Sequence, residues 1–391
     1  MTDTHSPSAL TDPIPLARKL IQAPSVTPAD AGALDTLQQA LETLGFSCER
    51  FGFEEVDNLY ARLGTAAPVF CFAGHTDVVP TGPEDQWTQP PFEGALKDDV
   101  LWGRGASDMK GALAAMVAGV ASYLENAGAP RGSIAFLITG DEEGPGVNGT
   151  KRLLQAITEK GETLDHCLVG EPTNPHVLGE TIKVGRRGSL NGVITVTGRQ
   201  GHVAYPDKAE NPIPVLLNLL ARLTARELDR GAPHFQASNL EVTTIDVTNP
   251  AHNVIPGEAR AKFNIRFNTA HTGDDLKRWI EDEAKAAGFG FAGRVALDLK
   301  VTGEAFLTRT SPFTDLLKAA VTEVTGREPA LTTGGGTSDA RFIKDYCPVA
   351  EFGLVGATMH QIDERVPAGD VTALARVYER VLSRYFTVFG A

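Results

Sequence analysis

Short apolar runs alternate with stretches of helical periodicity through the first half of the chain. Residues 69–72, 133–139 and 166–169 are apolar without alternation, the pattern of strands covered on both faces. Each runs into a polar, glycine-containing loop. Between the first two, residues 109–126 are rich in alanine and other good helix formers. This succession predicts an α/β layer around a mostly parallel mixed sheet. From Gly188 the pattern changes. Residues 190–196 and 258–267 predict half-buried strands, and 213–228 and 274–287 predict helices. The order strand, helix, strand, strand, helix, strand predicts a smaller α+β domain, ferredoxin-like, inserted into the larger one. After Thr302 the first style returns, with helices over 312–325 and 370–389 flanking a strand at 349–354. The expected division is 1–187 with 302–391 for the larger domain and 188–301 for the insertion.

A chain of 391 residues exceeds what one hydrophobic core usually supports, which agrees with two domains. Hydrophobic residues make up 42% and charged residues 22%, so the chain folds by burial alone. A formal charge of −13 without a cluster of Lys and Arg excludes a nucleic-acid partner from the expectation. No apolar run is long enough to span a bilayer, and residues 1–10 lack the basic and apolar segments of a secretion signal. The four cysteines, Cys48, Cys71, Cys167 and Cys347, are widely spaced and form no CxxC pair. Free thiols in a reducing, cytoplasmic setting are expected.

The chemistry gathers where predicted strands end. Gly74-His75-Thr76-Asp77, Asp141-Glu142-Glu143 and Gly170-Glu171-Pro172 each follow an apolar run, and Asp108 precedes a predicted helix. Open α/β sheets place their ligand sites at such strand ends. Each motif alone admits an ordinary reading: His-x-Asp as a polar turn, Asp-Glu-Glu as a solvated loop, Asp108 as a helix cap. Together they raise an electrostatic problem. Two carboxylates about 4 Å apart repel by about 4 kcal/mol at an effective dielectric near 20, so several in one cleft require a cation. His75, Asp108, Glu143, Glu171 and a late His360 form a mixed imidazole and carboxylate set that suits zinc better than magnesium. Two Zn²⁺ ions would balance three carboxylates and a shared hydroxide, with Asp108 as the bridge candidate.

The order and wording of these motifs resemble the ArgE/DapE/aminoacylase/carboxypeptidase G2 family of two-zinc amidohydrolases. The resemblance rests on Gly74-His75-Thr76-Asp77-Val78-Val79-Pro80, Gly103-Arg104-Gly105-Ala106-Ser107-Asp108-Met109-Lys110-Gly111, Asp141-Glu142-Glu143-Gly144 and Gly170-Glu171-Pro172-Thr173. It extends through Gly201-His202-Val203-Ala204-Tyr205-Pro206, Asn253-Val254-Ile255-Pro256 and Gly335-Gly336-Thr337-Ser338-Asp339-Ala340-Arg341, nearly the whole chain. It implies one zinc on His75, Asp108 and Glu171 and another on Asp108, Glu143 and His360, the second site accepting Co²⁺ or another divalent ion. It further implies Glu142 as general base, Asp77 as acceptor of the imidazole N–H of His75, and a cis Asp108–Met109 peptide. His202 resembles a lid histidine that stabilises the oxyanion and, in dimeric members, reaches across from the partner subunit. A homodimer formed through 188–301 is implied as well. His5, His166, His176, His234, His252 and His271 match no ligand position.

For the substrate, Lys183-Val184-Gly185-Arg186-Arg187-Gly188-Ser189 is similar to the hinge of desuccinylases rather than that of acetylornithine deacetylases. Arg186, Ser189, Asn253, Arg266, Gly336 and Thr337 resemble positions that hold substrate carboxylates. The run from Gly334 to Gly336, with Ser338 at a helix start, is expected to form an anion-binding nest. Gly356 departs from the Asn expected in desuccinylases. The resemblance implies a small-molecule N-acyl amino acid substrate, N-succinyl-LL-2,6-diaminopimelate. The alternatives are hydrolysis of a related acyl amino acid, as by acetylornithine deacetylase or a carboxypeptidase, and a catalytically silent binding module.

Overall fold

Strand Val69–His75 is buried at all seven positions, because it lies between two parallel neighbours, Ser133–Thr139 and His166–Val169. The computed structural model describes residues 10–390, so the expectations for residues 1–9, His5 among them, fall outside it. Around these three strands grows an eight-stranded sheet in the order Ser47–Phe53, Val56–Leu63, Ser133–Thr139, Val69–His75, His166–Val169, Val349–Glu351, Thr181–Lys183, Ala330–Thr332. Its middle is parallel; an antiparallel hairpin, 47–63, forms one edge. The apolar run at 69–72 continues into the sheet for three more residues, since Ala73, Gly74 and His75 pair with Leu137, Ile138 and Thr139. That extension makes His75 the last residue of a central strand.

Helix Lys110–Ala127 is buried along its first eleven residues. Small side chains let it pack closely: a β-carbon on Gly119 would lie 2.8 Å from Ala375 O, within helix Ala368–Val388. The chain divides into two compact units. One comprises the chain up to Val184, Thr308–Thr332 and the chain from Ser338; the other comprises Gly185–Leu307 and Thr333–Thr337.

The second unit has a four-stranded antiparallel sheet in the order Asn239–Asp246, Glu258–Phe267, Gly188–Thr197, Arg294–Gly303. Strand Glu258–Phe267 alternates as a half-buried strand should, with Ala259, Ala261, Phe263, Ile265 and Phe267 inward. Opposite Phe267 and Phe263 stand Gly188 and Gly192, where a β-carbon would strike the rings at 2.2 and 2.1 Å. Helices Pro212–Ala225 and Gly273–Ala287 complete this core with Leu216, Leu219, Leu223, Leu276 and Ile280. The first begins at an Asn211 cap on Ile213 N and stops at Ala225, short of the expected 228, because Arg226 is extended.

Candidate metal centre

Three loops leave the same end of three adjacent parallel strands. His75 closes Val69–His75; Asp141, Glu142 and Glu143 follow Ser133–Thr139; Glu171 follows His166–Val169. Gly74 and Gly170, one residue before His75 and Glu171, lie against the ends of methionine side chains. A β-carbon on either would overlap Met109 Cε, at 2.3 and 2.7 Å, so the two glycines make room for Met109 beneath the cluster. Asp108 stands just before helix Lys110–Ala127, and its peptide bond to Met109 is cis. His360 comes from the segment after strand Val349–Glu351.

The five side chains meet around Asp108. Its Oδ1 lies 3.1 Å from His75 Nε2 and its Oδ2 lies 3.2 Å from His360 Nε2. Glu171 Oε1 is 3.8 Å from His75 Nε2, and Glu143 Oε1 is 2.9 Å from His360 Nε2. The arrangement holds two three-residue groups that share Asp108: His75, Asp108, Glu171 and Asp108, Glu143, His360. A third grouping, His75, Glu142 and Glu143, puts Glu142 against the same centre. Glu171 Oε1 is buried with no hydrogen-bond partner. A buried carboxylate oxygen left unserved is costly, and it points to a missing cation.

The titration of these groups follows from their crowding. Burial opposes protonation of His75, yet Asp108, Glu171 and Asp77 hold its imidazole well above the ordinary value. Asp108 and Glu143 raise His360 to about 10. Burial is the main cause that pushes Glu171 up, with Asp108 and Glu142 adding to it. Burial also raises Glu142 to about 8, aided by Asp339, Glu143 and Asp108 and opposed by His75. Raised imidazoles and raised carboxyls alike follow from a cluster with too little positive charge for its carboxylates.

Asp77 takes two parts. His75 Nδ1 is 2.8 Å from the main-chain oxygen of Asp77 and 3.6 Å from its carboxylate, so the carbonyl is the nearer acceptor for the imidazole N–H. The carboxylate accepts from Glu142 N at 3.2 Å and Glu143 N at 3.0 Å, which orients the Glu-Glu pair. One residue absent from the sequence reading belongs here: Glu364, buried at 0% exposure, accepts from Ser107 N and Asp108 N.

The remaining candidates lie in the second unit. Ser189 and Arg266 face each other across paired strands, and Asn264 Nδ2 donates to Ser189 Oγ at 3.2 Å. Arg186 Nη1 donates to Gly336 O at 2.9 Å. His202 is exposed on the short strand Gly201–His202, which pairs with Val254–Ile255, and Asn253 O accepts from Val203 N. Gly334 and Gly336 open onto free space, where a β-carbon would meet nothing within 4 Å, and Thr337 is partly buried. Ser338 does not open a helix in the way expected. Its hydroxyl donates to Glu351 Oε1 at 2.5 Å, and the helix that follows, Ala340–Ile343, has four residues. In the first unit a side chain at Gly356 would press on Met359 Sδ at 3.2 Å and Pro172 Cβ at 3.4 Å.

Other histidines have ordinary surroundings: His166 lies against Tyr385 and Phe313, His271 pairs with Asp229, and His176, His234 and His252 are exposed. Cys71, Cys167 and Cys347 are buried free thiols, whereas Cys48 is partly exposed. Among the described residues, no helix is long and apolar enough to cross a membrane.

The model of peptidase family M20/M25/M40 matches residues 71–384, and the chain belongs to that family. A protein of Maricaulis maris (strain MCS10), named succinyl-diaminopimelate desuccinylase, is 66% identical over 98% of both chains. Among solved structures, aminopeptidase PepT of Bacillus cereus superposes with a TM-score of 0.77 at 19% identity, covering 98% of this chain and 99% of the other. The YXEP protein of Bacillus subtilis, described as a dinuclear metal-binding peptidase of family M20, superposes with a TM-score of 0.69 at 15% identity over 96% of this chain and 98% of its own.

Proposed function

We propose that the chain hydrolyses N-succinyl-LL-2,6-diaminopimelate to succinate and LL-2,6-diaminopimelate with two metal ions held side by side. The observation that carries the chemistry is the shared carboxylate: Asp108 gives one oxygen to each imidazole, at 3.1 and 3.2 Å. The name carried by the Maricaulis maris relative supports the succinylated substrate, as does the 183–189 wording.

We assign His75, Asp108 and Glu171 to one ion and Asp108, Glu143 and His360 to the other. The imidazole and carboxylate mixture favours Zn²⁺, and the second position also accepts Co²⁺ or another divalent ion. Metal held by these residues would supply Lewis acidity toward a water and the amide carbonyl. Ligation would require both imidazoles neutral, so metal uptake would release protons. Glu142, left free beside the pair, takes a proton from the attacking water and returns it to the leaving nitrogen as the C–N bond breaks.

The smaller unit is read as the lid and as the surface of a homodimer in the cytoplasm. His202 Nδ1 accepts from Ala204 N at 3.1 Å, which leaves Nε2–H as the donor for the oxyanion. Arg186, Ser189, Asn253, Arg266, Gly336 and Thr337 are assigned to the substrate's carboxylates, for which the planar fork of arginine is well shaped.

A panel of N-succinyl and N-acetyl amino acids, assayed with added Zn²⁺, tests the assignment. The highest kcat/KM is expected for N-succinyl-LL-2,6-diaminopimelate. A preference for N-acetylornithine would overturn the substrate and leave the chemistry standing.

A further inference from the structure

We infer that Glu364 is a positioning residue for the metal centre, fixing the main chain of 103–108 so that Asp108 presents an oxygen to each side. The inference rests on the two-metal reading above. Glu364 Oε1 accepts from Ser107 N at 2.9 Å and Asp108 N at 3.0 Å. Its Oε2 accepts from Arg104 Nη1 at 2.6 Å and Gly105 N at 3.1 Å, and its own carbonyl oxygen accepts from Gly103 N at 2.9 Å. Gly103, the Arg104 side chain, Gly105, Ser107 and Asp108 are thereby tied to one residue of the same segment that carries His360.

An ordinary buried ion pair would need only the guanidinium of Arg104. Here three main-chain N–H groups converge on the carboxylate as well, and all belong to the loop that ends in the shared ligand. Each oxygen has two N–H donors, so the ionised form alone satisfies the set. Ser107 Oγ adds a further tie, donating to Val355 O at 2.8 Å. Glu364 stands four residues after His360, whose Nε2 faces Asp108 Oδ2. One segment therefore provides both the imidazole on the outer side of Asp108 and the anchor for the main chain of Asp108. A shift of the anchor moves the bridging carboxylate relative to both imidazoles.

Glu364→Gln keeps the shape but turns an amide N–H₂ toward N–H donors on one side or the other. Groups that hold metal ligands in place typically contribute about 10- to 100-fold in metal affinity. Competition between the protein and a chromogenic chelator for Zn²⁺ is expected to show a loss of that size in Glu364→Gln. The absorption spectrum of the Co²⁺-loaded variant should shift, and the rise in Tm on adding Zn²⁺ should shrink. Glu364→Asp, which keeps the charge and shortens the reach, is expected to fall between Glu364→Gln and wild type.

A role confined to fold stability would lower Tm equally with and without metal and leave affinity and spectrum unchanged. That result in a folded variant overturns the inference alone, and failure of both variants to fold overturns it too, by making the role one of stability. Failure of the wild-type chain to take up Zn²⁺ would overturn the metal reading itself.

Discussion

The candidate groups of the two units differ in how completely the protein commits them. In the larger unit His75, Asp108 and Glu171 are buried and within hydrogen-bonding or ion-pairing distance of one another. His360 is the exposed member of that group, whereas in the smaller unit Arg186 and Ser189 are buried but His202 and Asn253 are exposed and Arg266 is only partly buried. The difference is electrostatic. Crowded, buried carboxylates cannot relax into water, so their demand for positive charge is built into the fold. Groups facing solvent have no such demand until a charged substrate displaces that solvent. The larger unit is therefore expected to hold metal by itself, and the smaller unit to act on turnover without touching metal content.

The largest effect that sharpens this contrast comes from Glu142→Ala. Glu142 is assigned to proton transfer and to neither metal group, so kcat should fall by about 10²- to 10⁴-fold. Metal content and fold should be unchanged, as read by elemental analysis and circular dichroism. Turnover near the wild-type rate would remove Glu142 from its assigned part. A smaller loss is expected for His202→Ala. Losing one oxyanion donor costs about 10²- to 10³-fold in kcat. Zn²⁺ affinity should not move; a variant that bound Zn²⁺ more weakly would break the comparison, because it would tie an exposed group of the smaller unit to the metal centre.

The parts of this architecture legible in the sequence are those with a local signature. Strands 133–139 and 166–169 announce themselves as unbroken apolar runs because both of their faces are covered. The last three residues of Val69–His75 do not, since Ala, Gly and His carry no apolar signal and are held by pairing with Ser133–Thr139. His75, Asp108, Glu143 and Glu171 were legible through motif wording, each at a strand end or before a helix, whereas His360 lies in a turn nine residues past the end of Val349–Glu351 and rested on the resemblance alone. Asp77 was legible as a neighbour of His75, but its carboxylate serves Glu142 N and Glu143 N, a choice made by how the 141–143 loop folds back. Glu364 had no local signature at all. Within Asp363-Glu364-Arg365 it reads as one more solvated charge, and its partners lie 256 to 260 residues away. Likewise, no periodicity marks Thr333–Thr337 as part of the smaller unit.

The smallest expected effect comes from a partly buried carboxylate in the smaller unit that does no chemistry, and it isolates what distinguishes Glu171. Asp229 accepts from Gly231 N at 2.7 Å, Asn268 Nδ2 at 2.7 Å and Ser238 N at 3.2 Å, and His271 Nε2 lies 3.1 Å away. Both of its oxygens are served, whereas Glu171 Oε1 is not. Burial raises the Asp229 carboxyl, but donors led by Ser238, Gly231 and Asn268 outweigh it and hold the group at about 2. The folded value lies below the unfolded one of 3.8, so the stabilisation is complete above pH 3.8 and is lost as pH falls toward 2. A shift of this size corresponds to about 2 kcal/mol, about half of it gone by pH 3. Asp229→Asn, which turns an N–H₂ toward N–H donors, should therefore destabilise by about 2 kcal/mol at pH 7 in urea unfolding, with Zn²⁺ affinity unchanged. The gap between variant and wild type should narrow between pH 5 and pH 3. A gap of constant width across that range would mean that the charge of Asp229 does not stabilise the smaller unit.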